Sequence, residues 1–332
     1  MRLSVVAAGC IGIPRGLLYY EYFPLWSEFF KRLGFRVTAA NNTTRRILDA
    51  GVTCAVDEAC LPVKAYLGHC IETASGCDLL FVPRVVSVER GAYTCPKLLG
   101  LPDMVNAMNL GVRVLTAVVD VTRRGHGAFV AAMSLAGELG VGRVAALRAY
   151  LAALLEYARF RHRLNGTGGW FDNTAGARPV GPGALPRVLV LGHSYVVNDP
   201  GLNLGLRQHI ERLGASPFTV DSLPWRAVNG HLRGLSKPIF WTYQKKMYGG
   251  AMYHIRNHTC DGIIQVASFG CGPDSLIAEL IRREADRKRV PYMALTVDEH
   301  TGEAGTVTRV EAFLDMLTRR VSDRVREEAT EH

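Results

Sequence analysis

The sequence predicts an α/β fold made of two similar Rossmann-like parallel-sheet domains facing a shared cleft. Three observations predict it. Short β-branched runs alternate with segments of helical period through most of the chain. A stretch rich in Gly, Pro and Ala, residues 165–186, interrupts that alternation near the middle. Segments on either side echo each other. Phe30-Lys31-Arg32-Leu33-Gly34-Phe35 parallels Ile210-Glu211-Arg212-Leu213-Gly214-Ala215, and Cys77-Asp78-Leu79-Leu80 parallels Cys260-Asp261-Gly262-Ile263. A chain of 332 residues also exceeds one typical domain. The expected division is an N-terminal α/β domain over residues 1–164, which carries Cys60 and Cys95, a linker over 165–186, and a C-terminal α/β domain over 187–325, which carries Cys271.

In chain order, residues 3–8 are apolar and read as a buried first strand. Residues 17–33 hold apolar side chains at helical spacing and end at Gly34, a helix-stop signal. A short strand is expected at 35–39, a helix at 61–73, and strands at 78–83 and 112–119. Helices follow at 128–139 and 143–163. After the interruption the series restarts with a strand at 187–191 and a helix at 202–213. A helix at 241–256, a strand at 262–266, a helix at 274–287, a strand at 292–297 and a closing helix at 306–321 complete it. Ligands of such sheets bind beyond the C-terminal strand ends.

Composition narrows the function. The apolar fraction of 48% supports a sizeable core without disulfides, and eight cysteines in a chain this long are not a disulfide scaffold. The formal charge of +9 suits an anionic ligand or simply a basic solvated surface. Arg282-Arg283, Arg287-Lys288-Arg289 and Arg319-Arg320 lie on amphipathic helices, as solvated faces do, and no basic-aromatic module points to nucleic acid. No run of about twenty apolar residues points to a membrane. Ala7-Ala8-Gly9-Cys10 faintly resembles a lipoprotein cleavage site, but the apolar stretch before it is short, and a cytoplasmic protein with reduced thiols is expected. There is no G-x-x-x-x-G-K-[ST] loop, no strand-positioned G-x-G-x-x-G and no G-x-S-x-G elbow.

Three cysteines stand in turns that hold Pro or Gly. These are Cys60 in Glu58-Ala59-Cys60-Leu61-Pro62, Cys95 in Tyr93-Thr94-Cys95-Pro96-Lys97, and Cys271 in Phe269-Gly270-Cys271-Gly272-Pro273-Asp274. Soft thiolates select iron–sulfur clusters or zinc. The C-x2-C spacing of zinc sites and the clustered cysteines of ferredoxins are both absent. Three thiolates gathered by tertiary folding would hold a cubane cluster with one iron open. Buried structural cysteines are the competing reading of the same pattern.

A family resemblance bears on that choice. Ile11-Gly12-Ile13-Pro14-Arg15-Gly16, Asp57-Glu58-Ala59-Cys60-Leu61-Pro62-Val63-Lys64 with Gly68-His69, Val82-Pro83-Arg84, and Tyr93-Thr94-Cys95-Pro96-Lys97 are similar to motifs of one superfamily. So are Phe269-Gly270-Cys271-Gly272-Pro273-Asp274-Ser275 and residues 296–305. The chain resembles the 2-hydroxyacyl-CoA dehydratase-like iron–sulfur superfamily, in its branch associated with CoA-enzyme activases. The resemblance implies paired α/β domains, a [4Fe–4S] cluster (a double-cubane cluster in a relative), and a separate ATP-dependent activator that delivers a low-potential electron. It carries Cys60, Cys95 and Cys271 over as cluster ligands. It also implies an acyl-CoA substrate and a dehydratase-like partner subunit, with a homo-oligomer as the other expected assembly. A double cubane would need about six thiolates. Cys54, Cys70 and Cys77 could add to the set, but Cys70 and Cys77 read as core positions, so a single cubane is expected.

Catalytic candidates beside the cysteines are Glu58, His193, His300 and Glu303. Glu58 and Lys64 flank Cys60 and read equally as a helix-start carboxylate and a surface cation. His300 and His193 sit at strand ends, where a histidine could move protons or serve the structure. Glu303 suits a helix start, and Asp274 reads as a first-turn acid. Three functions remain open at this point. One is a redox enzyme with an open iron acting on an acyl-CoA or another small molecule. The second is a non-catalytic electron-relay or docking subunit, and the third an α/β ligand-binding protein without a cluster.

Overall fold

The computed structural model describes residues 9–172, 185–233, 235 and 237–330. The strand expected at 3–8 and residues 173–184 of the expected linker lie outside the described residues. The chain divides into two compact units. One takes the residues up to His162 together with Ile239–Thr242, and the other takes Arg163–Pro238 and the residues from Tyr243 onward. No helix among the described residues is long and apolar enough to cross a membrane.

The first unit runs β1 (Cys10–Gly12), α1 (Tyr19–Arg32), β2 (Arg36–Thr38), α2 (Arg45–Cys54), α3 (Leu61–Ala74), β3 (Leu79–Phe81) and β4 (Arg84–Ser87). It continues with α4 (Pro96–Ala107), β5 (Arg113–Leu115), β6 (Val118–Asp120), α5 (Ala128–Glu138) and α6 (Arg143–Gly166). Its main sheet is parallel, in the order β2-β1-β3-β5, and β4 pairs with β6 in a second parallel ladder.

The strand expected at 112–119 is therefore two strands in two sheets, and the one expected at 78–83 stops at Phe81. Pro83, which has no N–H to give a ladder, stands at the break. The Val82 N–H donates to Leu115 and the Arg84 N–H to Ala117, which carries both chains across the break together.

Helices α2 and α4 have no counterpart among the expected elements. Thr44 starts α2 by accepting the Ile47 N–H at 3.3 Å. α2 then lies close against α3 because Gly51 and Gly68 have no side chains. A Cβ on Gly51 would meet the Lys64 carbonyl oxygen at 1.8 Å, and one on Gly68 would meet the Ile47 carbonyl oxygen at 1.9 Å.

The second unit runs β7 (Arg187–Leu191), α7 (Ser194–Val197), α8 (Pro200–Asn203), α9 (Leu206–Arg212), β8 (Ser216–Phe218), α10 (Trp225–Gly230) and α11 (Thr242–Arg256). It ends with β9 (Gly262–Ser268), α12 (Gly272–Arg287), β10 (Tyr292–Val297) and α13 (Glu303–Thr330). The sheet order is β10-β9-β7-β8, all parallel. The helix expected at 202–213 is two short ones. Leu204 at φ 58° and Gly205 at φ 68° are left-handed and stop α8 before α9 begins. Trp170, inside the expected linker, is 3% exposed and donates its indole N–H to the Pro217 carbonyl at 3.1 Å.

Taken in order of appearance, both four-stranded sheets place the second strand beside the first, then the third and the fourth on the other side. The paired segments seen in the sequence do matching work. Asp78 Oδ2 accepts the Cys10 N–H at 2.7 Å, and Asp261 Oδ2 accepts the Arg187 N–H at 2.8 Å, so each aspartate pins the start of its unit's first strand. Gly34 and Gly214 close the preceding helix with φ 94° and 76°.

Candidate functional site

Three helices start on a cysteine. Cys60 is the N-cap of α3, Cys95 of α4 and Cys271 of α12, each followed by Pro within the first two helical positions. Proline suits that place because its missing N–H would be unpaired there anyway. None of the three sulfurs caps its own helix; the Val63 N–H donates instead to the Cys60 carbonyl and the Leu98 N–H to the Cys95 carbonyl, each at 2.9 Å. In parallel α/β architecture a helix start lies at the C-terminal edge of the sheet, where ligands bind. No cysteine forms a disulfide.

In the first unit, hydrogen bonds fix the Cys60 and Cys95 turns. Lys97 Nζ donates to the Glu58 carbonyl at 2.9 Å, which links the two turns. Arg84 ties β4 to α4, donating to the Leu99 carbonyl at 2.8 Å and to both oxygens of Asp103 at 2.8 and 2.9 Å. The Pro83-Arg84 motif thus holds the helix that Cys95 starts. The Glu58 side chain is exposed.

In the second unit the sheet order reverses direction between β7 and β9, and both strands lead into the site. Gly192 follows β7, and a Cβ there would meet the Val266 carbonyl oxygen of β9 at 2.7 Å. Only glycine lets the chain turn so close to β9, and the turn presents His193. After β9 the chain turns at Gly270, φ 78°, into Cys271. His193, Cys271 and Asp274 have ligand atoms within 4.8 Å of one another, the one such set of three or more among the described residues.

His193 Nε2 lies 2.9 Å from Asp274 Oδ1, and the Gln244 amide donates to the same oxygen at 3.2 Å. The carboxylate is the acceptor of the group, so the ring N–H goes to Asp274. The 3.1 Å approach of the Gln244 nitrogen to Nε2 is then a contact and not a second hydrogen bond. Tyr195 stacks on the imidazole at 4.7 Å. Asp274 is fully buried, and its Oδ2 has no hydrogen-bond partner. Burial would push its carboxyl up. The neighbouring His193, with hydrogen bonds from His193, Gln244 and Cys271, outweighs that and holds it below the usual carboxylate range.

A second buried cluster adjoins this one. Lys246 Nζ lies 2.6 Å from Asp221 Oδ1, which also accepts the Ser194 hydroxyl at 2.9 Å. Asp221, Gln244 and Lys246 carried no sequence signal beyond polar residues within apolar-patterned segments.

Other expected residues fall elsewhere. His300 is exposed in a turn where Asp298 accepts its N–H at 2.9 Å. Glu303 opens α13 and pairs with His209 at 3.1 Å, largely exposed. Neither joins the His193 set. Among the described residues, Cys60 and Cys95 fall in no set of three or more ligand atoms, and neither do Cys54, Cys70 and Cys77. Burial pushes these last three thiols up, and it drives Cys260 up to about 12. Thiols held protonated are poor metal ligands. The arginines of α12 pair with Glu279, Glu284 and Asp286 on their own helix, as a solvated face does.

No curated protein matches this chain. Among solved structures, the C-terminal part of E. coli RcsC, with a linker region and a phosphoreceiver domain, is 13% identical over 99% of this chain and 98% of that one. The TM-score is 0.21, so the two chains do not share a fold by this comparison. Residues 229–317 match the 2-hydroxyglutaryl-CoA dehydratase D-component. Residues 10–223, more than half the chain, match the CoA enzyme activase uncharacterised domain, and the protein belongs to that family.

Proposed function

We propose that this protein is an iron–sulfur redox component of the 2-hydroxyacyl-CoA dehydratase type, with Cys60, Cys95 and Cys271 as ligands of a [4Fe–4S] cluster. The observation that carries the proposal is the threefold recurrence of one arrangement, a cysteine on a Pro-started helix with its sulfur left out of the cap. A cluster held by three thiolates supplies one-electron chemistry and an iron without a protein sulfur. Backbone N–H groups that reach cluster sulfurs tune the potential. Ionised Asp274 keeps the His193 proton on Nε2 and fixes the ring beside Cys271. The excess of cationic groups suits the phosphates of a CoA ester.

With no phosphate-binding loop in the sequence, ATP hydrolysis falls to a separate activator protein that supplies the electron. A dehydratase-like subunit or a second copy of this chain completes the assembly, in a reducing cytoplasm that suits thiols without disulfides. The test is anaerobic reconstitution followed by iron and sulfide analysis and electron spin resonance. About four irons and four sulfides per chain, with a reducible signal, are expected; colourless protein without iron would end the proposal.

A further inference from the structure

The first unit contains an apolar cavity of about 120 Å³ between α1, α5, α6 and the β4–β6 ladder. Trp26, Phe30 and Phe81 form one wall, and Ala131, Leu135 and Ala153 face them. Trp26 and Phe30 each meet Phe81 edge-on, with centroids 5.4 and 5.0 Å apart. No charged side chain lines the space. Its polar side-chain atoms are the Tyr22 and Tyr150 hydroxyls and the Trp26 indole nitrogen. Burial raises the Tyr150 phenol above its ordinary range, so it stays neutral.

Protein interiors are close-packed, and a void this large leaves its lining without dispersion partners. Alanines of α5 leave the space open where Leu or Phe would fill it. An enclosed apolar cavity of about 150 Å³ stays dry and takes up benzene or xenon; the present one is partly open, at Ala128, so a guest can enter. The aromatic wall presents both ring faces and ring edges, which suits another ring. A smaller hollow shares Trp26, Phe81 and Pro83 with this one. It reaches Tyr66 of α3 and Leu101 of α4, the two helices that Cys60 and Cys95 start.

We propose that this cavity is a binding site for one small uncharged guest, an aryl ring or a short branched alkyl group. Shape and the lack of charge select the guest: a carboxylate or ammonium in this lining would lose its water and find no counter-charge. The site stands or falls independently of the cluster, because none of its lining residues is a proposed metal ligand.

Benzene and benzoate are the probes, added to the purified full-length chain and followed by thermal unfolding and saturation-transfer NMR. Benzene is expected to bind saturably and raise the melting temperature with concentration, while benzoate at equal concentration does neither. Ala132→Phe fills the cavity, and Ala128→Phe, at an exposed lining position on the first residue of α5, narrows its mouth. Each is expected to weaken benzene binding at least tenfold with an unchanged far-ultraviolet dichroism spectrum. Equal effects of benzene and benzoate on the wild type would overturn the proposal. So would undiminished benzene binding in whichever of the two variants folds.

Discussion

The Lys97 ammonium reaches the backbone carbonyl of Glu58 at 2.9 Å and so joins the turn that presents Cys95 to the turn that presents Cys60. The bond is exposed, so its contribution to stability is at most about 1 kcal/mol. Its role is positional. Lys97→Met is expected to melt within about 4 °C of the wild type, yet to lose at least half of its reconstituted iron on desalting. Iron retention equal to the wild type would show that the link is dispensable for holding the two turns.

The cysteines separate into two kinds, and substitution should sort them. Cys60→Ser, Cys95→Ser and Cys271→Ser remove sulfurs that stand at helix starts without capping them, so each should fold and fail to retain iron. Cys70→Ser and Cys260→Ser place a hydroxyl where a buried, protonated thiol stood. Those two should keep iron and lose about 1–3 kcal/mol of stability. Iron-to-protein ratios with urea titrations check both halves. Iron loss on Cys70→Ser would move that residue into the ligand set.

Much of the architecture was legible because β-branched runs and helix-stop glycines repeat through the chain. Asp78 and Asp261 show why the internal echo was real: each pins a strand start, so each had to recur with its strand. Helix α2 is amphipathic, with Ile47, Leu48 and Gly51 on its buried face, but its close approach to α3 depends on Gly51 and on Gly68 of α3, which no local pattern reveals. The break at Pro83 was visible as a proline, but that it moves the chain into a second ladder depends on Leu115 and Ala117, far away in sequence. His193 and Cys271 were readable as strand-end residues. Asp274 was readable only as a first-turn acid, since its pairing with His193 spans 81 positions between β7 and α12.

That pair has a measurable acid limb. The folded-state pKa of Asp274 is depressed, so its contribution is complete above the unfolded value, about 3.9, and is lost as pH falls through the folded value. Asp274→Asn removes the buried charge that accepts the His193 N–H and should cost about 1.5–3 kcal/mol at pH 7. The penalty should shrink as pH falls below about 3.9, where the unfolded carboxylate takes up a proton that the folded one still refuses. Urea titrations at pH 7 and pH 3.5 test this. An equal penalty at both would mean that Asp274 acts through packing alone.

Two buried histidines govern a different window. His69 and His254 are each lowered to about 3, chiefly by burial. Each accordingly stays neutral when folded and takes up a proton near pH 6.5 when unfolded. Their contribution is present above that pH and declines as pH falls toward 3, by about 1.4 kcal/mol per pH unit for each ring. His254→Gln, which keeps a polar partner for Thr259, should remove that slope from the second unit's unfolding between pH 6 and 4. An unchanged slope would show that the ring is already protonated in the folded chain.

The contact of α2 with α3 sets where Cys60 stands, because α3 begins on that residue. Gly68→Ala would drive a methyl group to within 1.9 Å of the Ile47 carbonyl oxygen, and backbone cannot yield as a side-chain tip can. The helices must separate, so a loss of at least about 3 kcal/mol is expected, at the upper end for overpacking. The separation also shifts the start of α3, and iron retention should fall with it. Gly100→Ala on α4 serves as the control, since nothing lies within 4 Å of the place its new methyl group would take and the helix gains propensity. If Gly68→Ala melts with Gly100→Ala, the two helices do not depend on glycine to meet. If Gly68→Ala is unstable yet holds iron fully, the placement of Cys60 does not depend on α2.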